Sequence, residues 1–324
     1  MTSAQSRGSP RDAIVGQRLR RIGFALVAAS LAIAAASLAL PWVSPKLLEL
    51  LAEQRWFWWA LYLYGPVGFI GVFLWYRGRQ HLARVDTAER LHDPRPPVVL
   101  LRAFQSDDSA RAVLFPLYLK TFEEHLAAAL RPVGPLVALG QPEEALPPPG
   151  ASRVYETDQT WKDRVVDLFK RARLVVLIFG TSSSVLWETT TAFQMLKPQQ
   201  LLILGVGRNT PGEYEALSRI FKEATGRELP DLRNLGRAKR TGFEERSGIT
   251  FGEGWTPRIL RLRAPFWRRI ASSWTGAHVH FGLEPIFRAN GIEWHPYPVS
   301  KLEVLYWLIF VILCLAMLGT FFMT

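Results

Sequence analysis

A serine cluster followed by a Trp-Glu pair is the stretch of this 324-residue sequence best suited to chemistry. It runs "FGTSSSVLWETTTAF" at residues 179–193, and Ser183, Trp187 and Glu188 are its candidate functional side chains. A carboxylate can stabilise positive charge that develops in a transition state, and an adjacent indole offers a stacking surface. An ordinary helix N-terminus is the alternative interpretation, because a serine cap and an acidic first turn are both favourable there.

A second group of candidate residues lies at the end of the apolar run 98–104. Arg102 and Phe104 end this run, and Asp107 follows three positions later. The run predicts a buried strand, and ligands of parallel α/β sheets bind beyond the carboxyl ends of the strands. Arg102 and Asp107 are therefore candidates for contacting a ligand, although solvated charge is also common at strand ends.

The central part of the chain alternates predicted strands and helices. Apolar runs predict the strands, and apolar residues at helical spacing predict the helices. The Pro-rich segment 141–158 is predicted to be a surface loop. This order predicts a mainly parallel sheet flanked by helices, with residues 102–108 and 180–188 at its carboxyl edge. The predicted strands are 98–104, 134–140, 174–180 and 200–207, and the predicted helices are 113–131, 158–173 and the segment from the serine cluster to Leu196.

Composition indicates a membrane protein with a water-soluble part. Hydrophobic residues make up 49% of the chain, which also has 12 Trp, 19 Phe and a formal net charge of +11. Three uncharged apolar segments, 22–43, 56–76 and 304–323, each have the roughly 20 residues that a spanning helix needs, and aromatic residues lie at their ends. A signal peptide is the alternative for the first, but that segment exceeds the roughly 7–15 residues of a signal core.

The arginines around these segments predict their orientation. Five arginines precede the first segment and five follow the second before residue 97, whereas the loop between them has one Arg and one Lys. The positive-inside rule therefore predicts a multi-pass protein of the plasma membrane, with a cytoplasmic N-terminus and main domain and an external C-terminus. The predicted parts are a basic N-terminus (1–21), a transmembrane hairpin (22–76), a linker (77–96), an α/β domain with a C-terminal extension (97–300) and a final transmembrane helix (301–324).

Both candidate stretches resemble Toll/interleukin-1 receptor (TIR) domains. The segment "VVLLRAFQSDD" is similar to the opening strand and loop of that family, and "TWKDRVVDLFKRARLVVLIFGTSSSVLWE" is similar to its helix, strand and serine-to-glutamate turn. In TIR enzymes the glutamate that acts in cleaving NAD follows a serine by five positions. Ser183 and Glu188 share this spacing. The family places its tryptophan three residues before the glutamate, where this chain has Val185. The resemblance covers roughly residues 97–207.

This resemblance implies a flavodoxin-like α/β fold, a catalytic role for Glu188, and NAD as a substrate rather than a cofactor. The substrate-binding residues that it implies are Arg102, Phe104, Asp107, Ser183 and Trp187. Cleavage of the N-glycosidic bond of NAD builds positive charge on the ribose, as other glycosyl transfers do, and a nearby carboxylate stabilises that charge. The protein would then be a membrane-tethered effector in bacterial stress or phage defence.

A non-catalytic TIR-like module that binds a protein partner at the membrane is the alternative function. TIR-like domains commonly act by clustering, so a homo-oligomer is expected. Attachment at both ends confines the domain to two dimensions and raises its effective concentration. Nucleic-acid binding is not expected, because no recognisable motif accompanies the positive charge and the lipid bilayer already explains it.

Two further features carry weaker signals. His278 and His280, with Glu284 nearby, alternate in a way that suits metal ligands, but no second cluster accompanies them and no metal site is expected. The basic and aromatic segment 255–274 either rests on anionic headgroups or forms a solvated surface.

The single Cys314 excludes a disulfide framework.

Overall fold

The structure is a computed structural model that describes residues 12–44, 46, 50, 53, 55–83, 93–102, 121–140, 149–156, 159–204, 211–230, 247–262 and 274–294. Two long helices precede a domain of alternating strands and helices. The helices are α1 (Ala13–Val43), α2 (Arg55–His81), α3 (Phe122–Leu130), α4 (Trp161–Arg171), α5 (Ser183–Met195), α6 (Pro211–Thr225), α7 (Trp274–Gly282) and α8 (Glu284–Ala289). The strands are β1 (Val98–Arg102), β2 (Leu136–Gly140), β3 (Ser152–Tyr155), β4 (Leu174–Ile178), β5 (Leu201–Leu204), β6 (Ser247–Gly252) and β7 (Thr256–Arg261).

These strands form one sheet in the order β3-β2-β1-β4-β5-β6-β7. The first five are parallel to their neighbours, and β6 and β7 are antiparallel. The chain extends the sheet from β1 through β2 to β3, and then restarts with β4 on the other side of β1. The boundary between β1 and β4 is therefore a topological switch point, where ligands of such sheets bind beyond the carboxyl ends of the strands.

Helices cover both faces of this sheet. On one face, called here the α5 face, α4, α5 and α6 pack against a core that includes Val99 and Leu101 of β1. On the other, the α3 face, α3, α7 and α8 pack against a core that includes Val98 and Leu100. Successive side chains of a strand point to opposite faces. Burial on both faces explains why the central strands are continuous apolar runs in the sequence.

One strand lies where a loop is predicted. β3 falls within the Pro-rich segment 141–158 and pairs in parallel with β2, so this part of the loop prediction is wrong. A mainly parallel α/β sheet with flanking helices is confirmed. Leaving β3 aside, the order of β2, β1, β4 and β5 is the 2-1-3-4 of a flavodoxin-like sheet, but with β3 it becomes the 3-2-1-4-5 of the other doubly wound arrangement.

The remaining predicted elements are present with shorter bounds. The helix predicted for 113–131 begins at Phe122 within the described residues. Residues 256–261 form β7, the last strand of the sheet, and Leu260 is its one buried residue. Of the basic and aromatic segment 255–274, residues 256–261 form β7 and Trp274 begins α7.

Helices α1 and α2 pack closely through small residues. The close contacts pair Gly16 with Gly78, Gly23 with Gly71, and Ser30 with Gly68. A Cβ atom on Gly23 would lie 2.5 Å from the carbonyl oxygen of Gly71, so only glycine permits this approach. Small residues bring backbones together in the same way where membrane helices associate. The predicted hairpin is therefore built as an antiparallel helix pair.

The described residues contain one candidate membrane span rather than the predicted three. Ala13–Ala36 is long and apolar enough to cross a bilayer, and only 11% of its apolar window is buried, unlike a core helix. A signal sequence near the N-terminus shares this length and composition. The second predicted span falls on α2, whose side chains are described from residue 65 onward, and the third, 304–323, lies outside the described residues. α2 continues to His81, so the predicted linker 77–96 begins as helix.

Candidate functional site

Glu188 lies on α5, the helix that directly follows β4. β4 ends at Ile178 and α5 begins at Ser183, so residues 179–182 make the turn at the carboxyl edge of the sheet. Glu188 is buried together with Val185, Thr189, Ala192 and Phe193, and α5 also contacts β1. Its side chain therefore belongs to the side of α5 that covers the sheet, next to the switch point between β1 and β4.

The carboxyl group of Glu188 is almost completely removed from water. The residue is 4% exposed, and its Oε2 atom has no hydrogen-bond partner among the described residues. Burial raises the pKa of Glu188 to about 8, because desolvation disfavours the charged form. An unpaired buried polar group is costly, and carboxyl groups with strongly perturbed pKa values are concentrated at functional sites.

Three threonines beside Glu188 direct their hydroxyl groups elsewhere. Thr189, Thr190 and Thr191 each donate a hydrogen bond to the backbone carbonyl four residues earlier, at 2.6, 2.9 and 2.8 Å. This local bonding satisfies the hydroxyl groups within α5 itself. The hydroxyl protons nearest in sequence to Glu188 are therefore engaged with the helix backbone.

The position of Glu188 excludes the helix-start interpretation. Glu188 is the sixth residue of α5, whose first turn has no acidic residue, and the macrodipole acts mainly within the first turn. Ser182 is the N-cap residue but forms no side-chain capping bond, and its Oγ lies 3.2 Å from that of Ser184. Ser183 is the exposed first residue of the helix, so a capping role for Ser183 is wrong.

Trp187 packs against the neighbouring helix α4. Its ring centroid lies 5.0 Å from that of Trp161 in an edge-to-face arrangement, with the ring planes at 79°. Nζ of Lys162 lies 5.3 Å from the centroid of the Trp187 ring. Such contacts stabilise the packing of aromatic rings. Trp187 keeps an intermediate exposure, so the indole fixes α5 to α4 and still presents part of its surface to solvent.

Arg102 and Glu188 border the switch point from opposite faces of the sheet. Arg102 is level with Ile178 of β4. Like Val98 and Leu100, Arg102 directs its side chain to the α3 face. Its Nη1 atom lies 3.6 Å from Oε2 of Glu123 at the start of α3. Glu188 belongs to the α5 face. The two predicted site residues therefore approach the same crevice but do not form one cluster.

A buried ion pair next to Arg102 was missed by the sequence analysis. Arg153 of β3 is completely buried, and its Nη2 atom lies 2.8 Å from the carboxylate of Glu123. Glu123 also accepts a hydrogen bond of 2.8 Å from the backbone nitrogen of Ala151. The available signal was the strand-like run "SRVY", which stands inside a Pro-rich segment.

Two predicted site residues, Phe104 and Asp107, lie outside the described residues. His278 and His280 lie on α7, where residues two apart do not face each other, so their spacing does not bring two imidazoles together. Across the part of the chain that the structure describes, no group of three or more His, Cys, Asp and Glu is arranged to hold a metal ion.

The buried carboxyl group of Glu188 is the strongest chemical feature of this edge of the sheet. Because one fold serves many functions, function has to be inferred from the site rather than from the α/β architecture. The chain matches no protein-family model, no curated protein and no solved structure.

Proposed function

We propose that the protein is a membrane-tethered, TIR-like effector that cleaves NAD between nicotinamide and ribose. The observation that carries the proposal is the carboxyl group of Glu188, which is buried beside the switch point and has an Oε2 atom unpartnered among the described residues. The five-residue spacing of Ser183 and Glu188, shared with TIR enzymes, suggests NAD as the substrate.

A cationic ligand would compensate the cost of burying Glu188. The nicotinamide ring of NAD carries a positive charge, and a nearby positive charge favours the ionised form of a carboxyl group. Binding of NAD would therefore lower the pKa of Glu188 from about 8 and produce the carboxylate in contact with the ligand. The carboxylate is then poised to stabilise the ribosyl cation, because electrostatic interactions are strong where water is excluded.

The proposed reaction is a hydrolysis. The bond between C1′ of the ribose and the ring nitrogen breaks, and its electron pair neutralises the nicotinamide. Positive charge then develops on the ribose, as in other glycosyl transfers. A water molecule adds to C1′ and loses a proton to the carboxylate of Glu188, which releases it to solvent. The products are nicotinamide, ADP-ribose and one proton.

The ionisation of Glu188 gives this reaction a characteristic pH dependence. The pH profile of kcat/KM reports ionisations of the free enzyme. We expect kcat/KM for nicotinamide release to rise with pH and level off above about 8, because the free enzyme holds a protonated Glu188 below that value. A profile that is flat between pH 6 and pH 9 would speak against Glu188 as the essential carboxylate.

The direct test is nicotinamide release by the purified full-length protein and by E188Q. The amide keeps the size of the side chain but loses the charge, and removal of one such electrostatic contact costs on the order of 100-fold or more in rate. Glu215, exposed on α6, provides the matched control, because E215Q makes the same chemical change on the surface. E215Q should keep the wild-type rate.

The alternative function is a non-catalytic module that assembles with itself or with a protein partner at the membrane. The packing of the Trp187 ring against Trp161 favours it, since that contact uses part of the surface that a ligand ring would need. Wild-type protein that releases no nicotinamide even when clustered at high density in membranes would overturn the enzyme proposal. Self-association of that same preparation, detected by crosslinking, would then support the interaction module.

A further inference from the structure

A cavity of about 530 Å³ lies between the α1–α2 pair and the domain. Its walls come from both helices of the pair, from one side of α3, and from the turns that precede β2 and β3. The side of α3 that faces it carries Ala127 and Arg131, four residues apart and hence on one helix face. The volume lies within the range of ligand pockets, about 300–1,000 Å³. This cavity is separate from the surroundings of Glu188, which belongs to the α5 face.

Arginines dominate the charge of this cavity. The charged residues that line it are Arg20, Arg79, Arg95, Arg131 and Asp93. Two of these arginines already have carboxylate partners, since Arg95 lies 2.7 Å from Asp93 and Arg79 pairs with Glu124 of α3. Arg20 and Arg131 form no ion pair within the described part of the chain. Counted over the described residues, the cavity therefore keeps an excess of about two positive charges after Asp93 and Glu124 are paired with their arginines.

Arg79 is influenced by the charge of Arg20. Burial lowers the pKa of Arg79 to about 10, Tyr76 acts in the opposite direction, and the positive charge of Arg20 adds to the lowering. Like charges repel each other, and an anion bound between them offsets that repulsion. A guanidinium group also matches the geometry of phosphate oxygens, with which it forms paired hydrogen bonds.

The cavity lies where the apolar surface of the helix pair ends. Ile22, Phe24 and Phe73 are each at least half exposed on α1 and α2, as lipid-facing side chains would be. Arg79 lies over the ring of Trp75, at 4.4 Å from its centroid. Trp and Arg side chains are typical of headgroup depth at the cytoplasmic side of a membrane. Basic pockets at this depth beside membrane helices bind phospholipid headgroups.

We propose that this cavity binds the phosphate group of an anionic phospholipid, with Arg20 and Arg131, which form no ion pair among the described residues, as its cationic groups. The inference rests on the predicted membrane attachment but not on NAD cleavage. A bound headgroup would join the end of the helix pair to α3, and so fix the α3 face of the domain toward the bilayer. The α5 face, with Glu188, would then be directed toward the cytoplasm.

The test uses the full-length protein purified in a neutral detergent. Phosphatidylglycerol is added in the same detergent, and bound lipid is counted by native mass spectrometry while the increase in Tm is recorded, because a ligand of the folded state raises Tm. Phosphatidylcholine and inorganic phosphate are the two comparison ligands. We expect phosphatidylglycerol to be retained and to raise Tm, and phosphatidylcholine to do neither.

The decisive variant is the double substitution R20Q/R131Q. The variant removes two charged donors to the phosphate, so we expect the affinity for phosphatidylglycerol to fall by about tenfold or more. R18Q/R77Q is the matched control, because Arg18 and Arg77 are exposed arginines of the same helix pair that do not line the cavity. Both variants lose the same net charge, so a general attraction to anionic lipid would weaken equally in both.

Retention of phosphatidylglycerol by R18Q/R77Q and its loss by R20Q/R131Q would support the proposal. Equal losses in the two variants, or equal binding of phosphatidylcholine, would overturn it. Full displacement of the lipid by inorganic phosphate at low concentration would also overturn it, because the cavity would then be a site for a soluble phosphate compound. Each outcome can be read while nicotinamide release is measured separately, so failure of one proposal is distinguishable from failure of the other.

Discussion

Glu123 and Arg153 form an ion pair that is almost completely withdrawn from solvent. Their side chains are 3% and 0% exposed, and Nη2 of Arg153 lies 2.8 Å from the carboxylate. Arg102 lies on the same carboxylate, at 3.6 Å. One glutamate at the start of α3 thus holds arginines from β1 and β3, and fixes the helix to these two strands.

Removal of Glu123 should destabilise the protein strongly. E123Q leaves the buried charge of Arg153 without its counter-ion, and breaking a buried pair in this way typically costs about 3–5 kcal/mol. The free energy of unfolding, measured with a chemical denaturant, checks the expectation. The control is E284Q, which breaks the exposed pair of Glu284 with Arg288 and should cost about 0.5 kcal/mol or less. A similar cost for both variants would contradict the assigned burial.

The stability contribution of Glu188 should depend on pH in a defined window. Its pKa is raised from 4.5 to about 8 in the folded protein, so between these values the folded state holds a proton that the unfolded state has released. Stability is therefore lost as pH rises through this window, by up to about 1.4 kcal/mol per pH unit. E188Q removes the titrating group.

Denaturant unfolding of wild type and E188Q at pH 5 and pH 8.5 measures this difference. The two proteins should be similar in stability at pH 5, and E188Q should be the more stable one at pH 8.5. Subtraction of the two profiles cancels the titration of all other groups. Parallel profiles would mean that Glu188 has an ordinary pKa and is less buried than the structure indicates.

Two helix starts should respond differently to the loss of a hydroxyl group. Oγ of Thr121 accepts a hydrogen bond from the backbone nitrogen of Glu124, and the carboxylate of Glu124 accepts one from the nitrogen of Thr121, which completes a capping box. T121A should therefore cost about 1 kcal/mol. S183A should change stability by less than about 0.5 kcal/mol, because Ser183 is an exposed helical residue. A larger loss for S183A than for T121A in thermal or denaturant unfolding would contradict the two assignments.

The close approach of α1 and α2 can be tested by an engineered disulfide between the two helices. A Cβ atom at Gly68 would lie 3.4 Å from the Cβ of Ser30, near the spacing found in disulfides. We expect S30C/G68C to form a disulfide in a C314S background. Adding G23L should abolish it, because a Cβ there meets backbone atoms of α2 at 2.5 Å.

The matched control for G23L is G65L, since the space around Gly65 has no other described atom within 4 Å. G65L should leave the disulfide yield unchanged. Non-reducing electrophoresis of the membrane fraction gives the yield for each variant. Equal yields in all variants would mean that the pair does not depend on the contact between Gly23 and Gly71.

The predicted topology is open to a reporter experiment. A fusion after residue 90 should have the activity of a cytoplasmic reporter, and a fusion at Thr324 that of an external one, because arginines flank the first two apolar segments on one side only. The opposite signals, or a mature chain that lacks the first segment, would defeat this arrangement. The second result would identify Ala13–Ala36 as part of a signal sequence.

The sequence by itself determined the class of the fold and nominated the candidate stretches at one edge of the sheet. Apolar runs such as 98–102 and 174–178 predict buried parallel strands because a strand covered on both faces has no polar alternation. The serine-rich turn after 178 predicts the carboxyl edge of the sheet, so the sequence places residues 180–188 at that edge. Both features depend on residues that are close together in the sequence, so a local sequence pattern is enough to predict them.

Tertiary structure decided what each side chain contacts. Arg102 and Glu188 are both near strand ends in the sequence, yet the alternation of β1 directs Arg102 to Glu123 on the α3 face. β3 was not predicted from the sequence because it lies inside the Pro-rich segment, away from its partner β2. Pairing between strands separated in this way depends on contacts that a local sequence pattern does not contain.

Burial of Glu188 was likewise invisible in the sequence. An acidic residue soon after a serine cluster suggests a helix start, but its position as the sixth residue of α5 turns the carboxyl group toward the sheet instead. Desolvation there, rather than any neighbouring charge, raises its pKa to about 8. The residue type and spacing nominated Glu188, and packing against the sheet gave it an environment in which a carboxyl group can do chemistry.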